Sequence, residues 1–274
     1  MTGPHDEADG LAARAEALAR ELTALGRVLV AFSGGVDSTF LLRAALAALG
    51  PQNVLAVTLD PPYASRAEVA QAVRLAGDLG AAHEVVPVAF PEALRDNPPE
   101  RCYLCKRLLF SRLLTRAAVF GQAAVLDGTN RDDLGDHRPG RKALAELGIR
   151  SPLLAAGLFK ADIRALSRRA GLPTWDKPSA ACLLSRLPHG ARVDEAALGR
   201  IEGGEALLRA AGFPAVRLRL HGDLARIEVP KGRLADLVAA CQSGDLLDRL
   251  RRLGLRHLTA DLAGYTMGSF NEPA

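Results

Sequence analysis

A glycine-rich turn between a strand pattern and a helical pattern constrains this chain more than any other feature. Residues 27–38 read R-V-L-V-A-F-S-G-G-V-D-S, and residues 39–49 continue with apolar positions at helical spacing. An apolar run rich in β-branched residues is typical of a strand buried in a parallel sheet. The two glycines allow the backbone to approach a phosphate, toward which the free N–H groups of a first helical turn would point. The pattern therefore predicts a strand, a phosphate-binding loop and a helix.

Polar side chains accompany the glycines of this loop. Ser33, Ser38 and Thr39 add hydroxyl donors. Asp37 places a carboxylate in an anion site, so we expect it either to cap the helix or to lie near a bound Mg²⁺. The G-K-[ST] ending of a Walker A loop is absent.

The loop instead resembles the S-G-G-x-D-S loop of the ATP pyrophosphatase (PP-loop) superfamily. Members of that superfamily cleave ATP between the α and β phosphates and adenylate an oxygen of their substrate. The resemblance implies that Gly34, Gly35 and the polar residues around them bind ATP.

Length and composition bound the class of protein. The chain has 274 residues, of which 49% are hydrophobic, and a net charge of +4. The length suits one large or two modest domains. The charge by itself is too mild to argue for nucleic acid, but it suits anionic small substrates. Without a signal peptide or an apolar run near about 18 residues, we expect a cytoplasmic protein with no membrane partner.

Strand and helix patterns alternate along the first half of the chain. Strand patterns recur at residues 53–59, 83–88 and 123–126, with a further short candidate at 151–154. The helical pattern after the second strand starts with a capping box, Ser65 followed three residues later by Glu68. Alternation at this spacing predicts an α/β fold with a doubly wound parallel sheet.

The domain organisation follows from where this alternation stops. We expect residues 1–10 to be disordered and residues 11–190 to form the PP-loop domain. Residues 171–190 are proline-rich and irregular, which places the boundary near their end. Residues 191–274 combine helical patterns with strands that alternate around a turn at 221–223, and they predict a small α+β domain for substrate binding or oligomerisation.

A polar loop follows the fourth strand. Residues 127–140 read D-G-T-N-R-D-D-L-G-D-H-R-P-G. Ligands of open α/β sheets bind beyond the carboxyl ends of the strands, so this loop should lie on the same side as the phosphate loop. Gly128 and Asp132 are therefore candidate residues of the ATP and Mg²⁺ site.

Four cysteines divide into two kinds. Cys241 lies in an apolar helical pattern and reads as a small buried hydrophobe. Cys102 and Cys105 form a C-x-x-C, and Cys182 lies in another irregular segment. These three thiols could belong to a zinc site that recruits a fourth ligand, to a redox disulfide, or to a [4Fe–4S] cluster with one iron left open.

Several motifs together resemble one family, the pyridinium-3,5-bisthiocarboxylic acid mononucleotide synthases (the LarE family). The resemblance covers residues from about 11 to 272. The motifs that carry it are S-G-G-V-D-S, R-C-Y-L-C-K, D-G-T-N-x-D-D-x-G-D-x-R-P-G, D-K-P-S-A-A-C-L-L-S-R-L-P-H-G and G-Y-T-M-G-S-F-N-E.

The resemblance implies an ATP-dependent sulfurtransferase in the biosynthesis of the nickel-pincer nucleotide cofactor. ATP adenylates a carboxylate of pyridinium-3,5-biscarboxylic acid mononucleotide with release of pyrophosphate, and sulfur then replaces AMP to give a thiocarboxylate. In one branch of the family a single cysteine matching Cys182 gives up its own sulfur. In another, three cysteines hold a [4Fe–4S] cluster, and Cys102, Cys105 and Cys182 match that branch. The family also implies a homo-oligomer, with a hexamer as its form.

The resemblance further implies a site for the substrate phosphate. Arg217 and Glu205 match residues that line it; from the residues alone they would read as a strand-edge arginine and a helix-surface glutamate. The family ending carries an arginine where this chain has Thr266. Another cation would have to replace it, and three arginines are candidates, namely Arg186, Arg192 and Arg219.

The alternative interpretations assume either a different substrate or a protein that binds ATP or metal without catalysing a reaction. A PP-loop enzyme that thiolates tRNA would explain the same loop and cysteines, but the chain shows no aromatic and basic interleaving and only 4% aromatic residues. A non-catalytic ATP-binding or metal-binding scaffold is the second alternative, and an amidating enzyme of the NAD synthetase kind is a third. The intact S-G-G-V-D-S loop favours catalysis.

Overall fold

Two compact units make up the chain. The structure is a computed structural model that describes residues 4–135, 139–178 and 181–265. The first unit comprises residues 1–89 and 100–180, and the second comprises residues 90–99 and 181–274. The boundary expected at residue 190 thus falls inside the second unit, because residues 181–190 and the short excursion 90–99 pack with it.

The first unit contains a parallel sheet of four strands in the order β3-β2-β1-β4. Val30 at its centre lies opposite Ala56 on one neighbour and Leu126 on the other. The strands are β1 (Val28–Ala31), β2 (Val54–Asp60), β3 (Ala82–Pro87) and β4 (Ala124–Leu126). The sequence prediction of these four strands is confirmed.

Helices cover both faces of this sheet. Alternate residues of β1 point to opposite sides: Val28 and Val30 enter one core cluster, and Leu29 enters another. The helices of the unit are α1 (Pro4–Leu25), α2 (Val36–Leu49), α3 (Arg66–Asp78), α4 (Arg101–Val119), α5 (Pro139–Glu146), α6 (Pro152–Ala155) and α7 (Lys160–Arg169). Residues of α1, α2, α3 and α7 join the first cluster, and residues of α4 and α5 join the second. The doubly wound α/β prediction is therefore confirmed.

Three local predictions differ from the structure. Residues 4–10, expected to be disordered, belong to α1. The short strand expected at 151–154 is helix α6, because Pro152 suits a first helical position. Just before this helix, Arg150 pairs with Leu126 of β4 as an isolated bridge. Ser65 precedes α3 but makes no capping hydrogen bond through its side chain, so the capping box is wrong.

The second unit is built on a sheet of three strands in the order β5-β6-β7. Strands β5 and β6 are antiparallel, as predicted, and β7 pairs parallel to β6. The elements in chain order are α8 (Glu195–Ala210), β5 (Arg217–His221), β6 (Leu224–Glu228), α9 (Leu234–Ser243), α10 (Leu246–Arg252) and β7 (His257–Ala260). Helix α8 lies close against the sheet at Gly204, where an added Cβ would come within 2.5 Å of Leu218 Cδ1.

Asn97 connects residues 90–99 to the segment that follows Cys182. Its side chain is fully buried, and its φ of 44° lies in the left-handed region that asparagine tolerates better than most residues. Its Nδ2 lies 3.3, 3.0 and 2.8 Å from the carbonyl oxygens of Leu184, Leu187 and Pro188. One amide group therefore offers donors to three carbonyls of this segment, two of which also accept a backbone N–H.

Among the described helices, none combines the length and the apolar character needed to cross a membrane.

Replacing Asn97 with alanine should lower the free energy of unfolding by about 2 kcal/mol, because a fully buried amide and its contacts with three carbonyl groups are lost. Urea denaturation followed by circular dichroism measures this loss. Asp96→Ala is the matched control, since Asp96 is exposed and lies 3.7 Å from the exposed Arg192. Equal denaturation midpoints for the two variants would contradict the assigned role of Asn97.

Candidate functional site

The phosphate loop joins the end of β1 to the start of α2. Ser38 closes the loop: its Oγ donates to the Gly35 carbonyl at 3.3 Å, accepts from the Ser33 N–H at 3.3 Å, and lies 3.1 Å from Ser33 Oγ. The first N–H groups of a helix have no intrahelical partner. The loop therefore presents backbone donors and hydroxyl groups together, which is the arrangement that binds phosphate.

Gly34 brings this loop into direct contact with α3. Its φ is +67°, and an added Cβ would lie 3.1 Å from the Cα of Ala72. A side chain at this position would be strained by its backbone conformation and would also push α3 away. The structure thus gives a physical reason for the first glycine of the motif.

A cavity of about 430 Å³ opens above the loop. Its floor is polar and includes Ser33, Gly35, Asp37 and Ser38. Its walls are largely apolar and come from β2, α3 and α4, with Val57, Leu59, Val69, Leu109, Phe110 and Leu113. A polar floor at a helix start beneath apolar walls suits a ligand that carries phosphates at one end and a flat ring at the other.

Asp37 contacts a lysine that the sequence did not single out. The Lys160 ammonium lies 2.5 Å from Asp37 Oδ2, and Asn130 Nδ2 donates to Asp37 Oδ1 at 3.3 Å. Gly35 occupies the N-cap position of α2, and no side chain makes a capping hydrogen bond there. The expected capping role of Asp37 is therefore wrong. Lys160 is the first residue of α7. Its position at the start of a predicted helix did not reveal that it would meet the phosphate loop.

The polar loop after β4 reaches the phosphate loop, as predicted. An added Cβ at Gly128 would lie 3.1 Å from Asp37 Cβ and 3.3 Å from the Ser38 nitrogen. Asp132 lies beside Lys160, whose backbone N–H donates to Asp132 Oδ2 at 2.6 Å. Asp127, Gly128, Thr129 and Asp133 line the cavity, and Asp132 is not among the lining residues.

Thr39 is placed differently from the prediction. Its side chain is fully buried, it does not line the cavity, and its hydroxyl has no hydrogen-bond partner within the described parts of the chain. The residue lies one position beyond Ser38 in α2, and this position turns its side chain into the core. The structure therefore gives no support to Thr39 as a hydroxyl donor to the ligand.

The thiols of the C-x-x-C lie at the start of α4. Cys102 is exposed and Cys105 is half-buried, and their spacing of three residues places them about one helical turn apart. The buried Tyr63 lies beside Cys105, with its hydroxyl 3.2 Å from Cys105 Sγ. The thiolate is the form of cysteine that binds metals. The first unit thus supplies two candidate ligands in adjacent turns of one helix.

Cys182 belongs to the second unit. It is exposed and precedes a 3₁₀ turn of residues 183–186, where Ser185 Oγ donates to its carbonyl at 2.7 Å. Within residues 4–135, 139–178 and 181–265, no group of three or more His, Cys, Asp or Glu side chains is arranged to hold a metal. Cys241 is half-buried, and burial raises the pKa of its thiol, which agrees with a structural residue.

Glu205 sits at the centre of a cluster of arginines in the second unit. It is 1% exposed, so it is not the helix-surface glutamate that its position suggested. Arg186 Nε donates to Glu205 Oε1 at 2.8 Å, and Arg209 donates to Oε2 at 2.5 Å. The backbone N–H of Leu218 also donates to Oε1, at 3.2 Å. Two guanidinium groups therefore share one carboxylate, and the three side chains together carry a net positive charge.

Arg217 adds a third guanidinium to this cluster. Burial, followed by the positive charge of Arg186, lowers the pKa of Arg217. Its guanidinium lies 5.0 Å from the ring centroid of Tyr265. An arginine remains protonated in proteins, so Arg217 adds positive charge to the cluster around Glu205.

The three proposed replacements for the missing arginine have different surroundings. Arg186 is buried against Glu205, and Arg219 is buried and bonded to Glu228 and, at 2.9 Å, to the Ser185 carbonyl. Arg192 is exposed. Arg209 was not predicted, yet it shares Glu205 with Arg186 and its side chain is 40% exposed. Thr266 lies outside the described residues.

Comparisons with known proteins agree with these features. The sequence profile of the NAD synthase family matches residues 15–97, which contain β1 to β3 and the phosphate loop. The chain is 40% identical over 265 residues to the pyridinium-3,5-bisthiocarboxylic acid mononucleotide synthase of Lactiplantibacillus plantarum, covering 96% of this chain and 95% of the relative. It is also 40% identical to an uncharacterized protein of Synechocystis, with 90% and 92% covered. A third relative, an uncharacterized protein of Methanocaldococcus jannaschii, is 32% identical, with 74% and 77% covered.

Replacing Gly128 with alanine should weaken the binding of adenine nucleotides by roughly tenfold, because the added methyl group would push the polar loop away from Asp37 and Ser38. Calorimetric titration with ATP measures the change. Gly135→Ala is the matched control, since the nearest atom to its added Cβ is 3.8 Å away. Similar affinities for Gly128→Ala and the unmodified chain would argue against this contact as part of the site.

Proposed function

The chain belongs to the pyridinium-3,5-bisthiocarboxylic acid mononucleotide synthase family, and on this premise we propose that it is an ATP-dependent sulfurtransferase. In the proposed reaction, a carboxylate oxygen of pyridinium-3,5-biscarboxylic acid mononucleotide attacks the α phosphorus of ATP, and pyrophosphate leaves. A sulfur nucleophile then attacks the acyl carbon, and AMP leaves with the carbon–oxygen bond electrons. The product is a thiocarboxylate for the nickel-pincer nucleotide cofactor.

The observation that carries this proposal is the phosphate loop at the floor of an apolar cavity, in a chain 40% identical over 96% of its length to such a synthase. We propose that the backbone N–H groups and hydroxyls around Gly34 and Gly35 bind the phosphates. The apolar walls would then receive the adenine ring. Donors fixed in advance stabilise the negative charge that develops on the departing pyrophosphate.

Asp37 and Asp132 are the carboxylates that would hold Mg²⁺. Mg²⁺ prefers carboxylate, phosphate and water oxygens, and both side chains lie beside Lys160 next to the loop. When bound, the ion would neutralise phosphate charge. Lys160 would then lose its partner Asp37 and become available as a cation for the phosphates.

The arginine cluster of the second unit supports a separate anion site for the phosphate of the mononucleotide. We propose that Arg217 contacts this phosphate, while Glu205 and Arg186 hold the cluster in position. Arg209 adds positive charge at the same carboxylate, so it can compensate for the arginine that the family carries at the position of Thr266. The assembly of the chain as a homo-oligomer and its cytoplasmic location stay predictions.

We propose that Cys102, Cys105 and Cys182 are the ligands of a [4Fe–4S] cluster. The two thiols in adjacent turns of α4 support this interpretation, because a sacrificial mechanism at Cys182 would need neither of them. Such a cluster would leave one iron open and supply sulfur in a transferable form. Metal analysis would distinguish zinc bound at the same thiols from an iron–sulfur cluster. A substrate assay would distinguish a tRNA-thiolating enzyme from the proposed sulfurtransferase.

Pyrophosphate release is the direct test of the adenylation step. The unmodified chain should release pyrophosphate from ATP only with the dicarboxylate mononucleotide present, and not with tRNA. Arg217→Ala should raise the KM for the mononucleotide at least about tenfold, because a charged hydrogen bond to phosphate is lost. Arg251→Ala, at an exposed helical position, should leave KM unchanged. Release of pyrophosphate with tRNA and without the mononucleotide would contradict the proposal and favour a tRNA-thiolating enzyme.

Cysteine variants separate adenylation from sulfur insertion. Cys182→Ala should abolish thiocarboxylate formation while pyrophosphate release continues, because the acyl adenylate forms without a thiol. Mass spectrometry of the product and a coupled pyrophosphate assay measure the two steps, with Cys241→Ala as the matched control.

Cys102→Ala should lose the iron and the brown colour of anaerobically prepared protein. Iron and sulfide analysis beside the Cys241→Ala control measures this loss. Full iron content in the Cys102→Ala protein would remove the cluster from the proposal.

A further inference from the structure

Lys177 lies at the junction of the phosphate loop and α3. Its ammonium donates to the Gly34 carbonyl at 3.1 Å, to Glu68 Oε2 at 2.6 Å and to Gln71 Oε1 at 2.7 Å. An ammonium has three N–H donors, and each has an acceptor here. The side chain is only 13% exposed. The ammonium group of Lys177 is therefore fixed in one position within the first unit.

The backbone of Lys177 is held as well. Arg164 of α7 donates to the carbonyl of Trp175 at 2.7 Å and to that of Lys177 at 3.0 Å. The side chain and the backbone of one residue thus connect the phosphate loop, α3 and α7. A lysine on a loose surface segment would lose much of its ion-pair energy to side-chain entropy, and this one is fixed in advance.

Glu68 is the partner that makes this contact informative. It lines the cavity above the phosphate loop, and its side chain is 32% exposed. A carboxylate on the wall of a site for a polyanion opposes binding, since like charges repel at short range. Lys177 neutralises that carboxylate. Lys177 also donates a hydrogen bond to the carbonyl of Gly34, the residue of the phosphate loop that has a positive φ.

We propose that Lys177 is a positioning residue for the reaction: it neutralises Glu68 on the cavity wall and so keeps the phosphate loop able to accept a polyphosphate. The inference rests on the proposed function, because it takes the ligand of the cavity to be ATP with its phosphates on the loop. Lys177 acts through Glu68 and Gly34 rather than on the reacting atoms.

Calorimetric titration with ATP tests the charge argument in the full chain. Lys177→Met should weaken ATP binding by roughly tenfold, since it leaves the carboxylate of Glu68 uncompensated. Glu68→Gln should tighten binding by about threefold, because it removes an anion and leaves the lysine in place. The double variant should regain most of the lost affinity. Lys142→Met is the matched control, as Lys142 is 76% exposed and lies 3.9 Å from Glu146.

Salt dependence adds a measurement that a purely structural role would not move. The loss of ATP affinity in Lys177→Met, relative to the unmodified chain, should become smaller between roughly 0.05 M and 0.5 M salt. Screening by salt weakens the repulsion between the partly exposed carboxylate of Glu68 and the phosphates of ATP. Thermal melting of each variant confirms folding. If Lys177→Met does not fold, Glu68→Gln still decides, since unchanged or weaker binding in that variant would overturn the inference.

Other outcomes separate this inference from the proposed function. Equal ATP affinities for Lys177→Met and the unmodified chain, or a double variant as weak as Lys177→Met, would overturn the inference alone. Absence of ATP binding by the unmodified chain would overturn the proposed function and this inference together.

Discussion

The close approach of backbone segments at the carboxyl end of the sheet is the constraint on which the first unit depends. Gly34 contacts α3 and Gly128 contacts the start of α2, and at both positions an added Cβ would lie 3.1 Å from its nearest neighbour. Interiors packed to this density do not absorb even one extra methyl group without a shift. Because both positions lack a side chain, three segments converge around the first turn of α2, where backbone donors have no partner inside the helix. The cavity and its polar floor follow from that convergence.

Lysines pair with two of the carboxylates around this floor before any ligand arrives. Lys160 compensates Asp37 and Lys177 compensates Glu68, and in the second unit Arg186 and Arg209 share Glu205. Isolated charges at half-buried positions would be costly, so pairing stabilises each unit by itself. Under the proposed function, a cation that binds Asp37 would leave Lys160 for a phosphate, and an anion bound beside Glu205 would meet more positive than negative charge.

Much of the fold could be predicted because it depends on local spacing. The strands read as apolar runs, and the glycine loop and the polar loop after β4 fell where the ends of parallel strands require them. The errors have specific causes. Glu68 does not complete a capping box because Lys177, 109 residues away in the chain, binds its carboxylate. Pro152 starts a helix where a strand was expected, and Thr39 faces the core one residue beyond the loop.

The order of the elements, the phosphate loop and the membership of the family could be read from the sequence alone, since each rests on residues close together in the chain or on motifs read one at a time. Which distant charges meet depends on the packing of the folded chain: Lys160 with Asp37, and Lys177 with Glu68 and the Gly34 carbonyl. The same packing places Asn97 against the segment after Cys182. A local pattern records the period of an element and the chemistry of a turn. It carries no information about which lysine or asparagine will arrive from more than eighty residues away, because that depends on how helices and strands pack together.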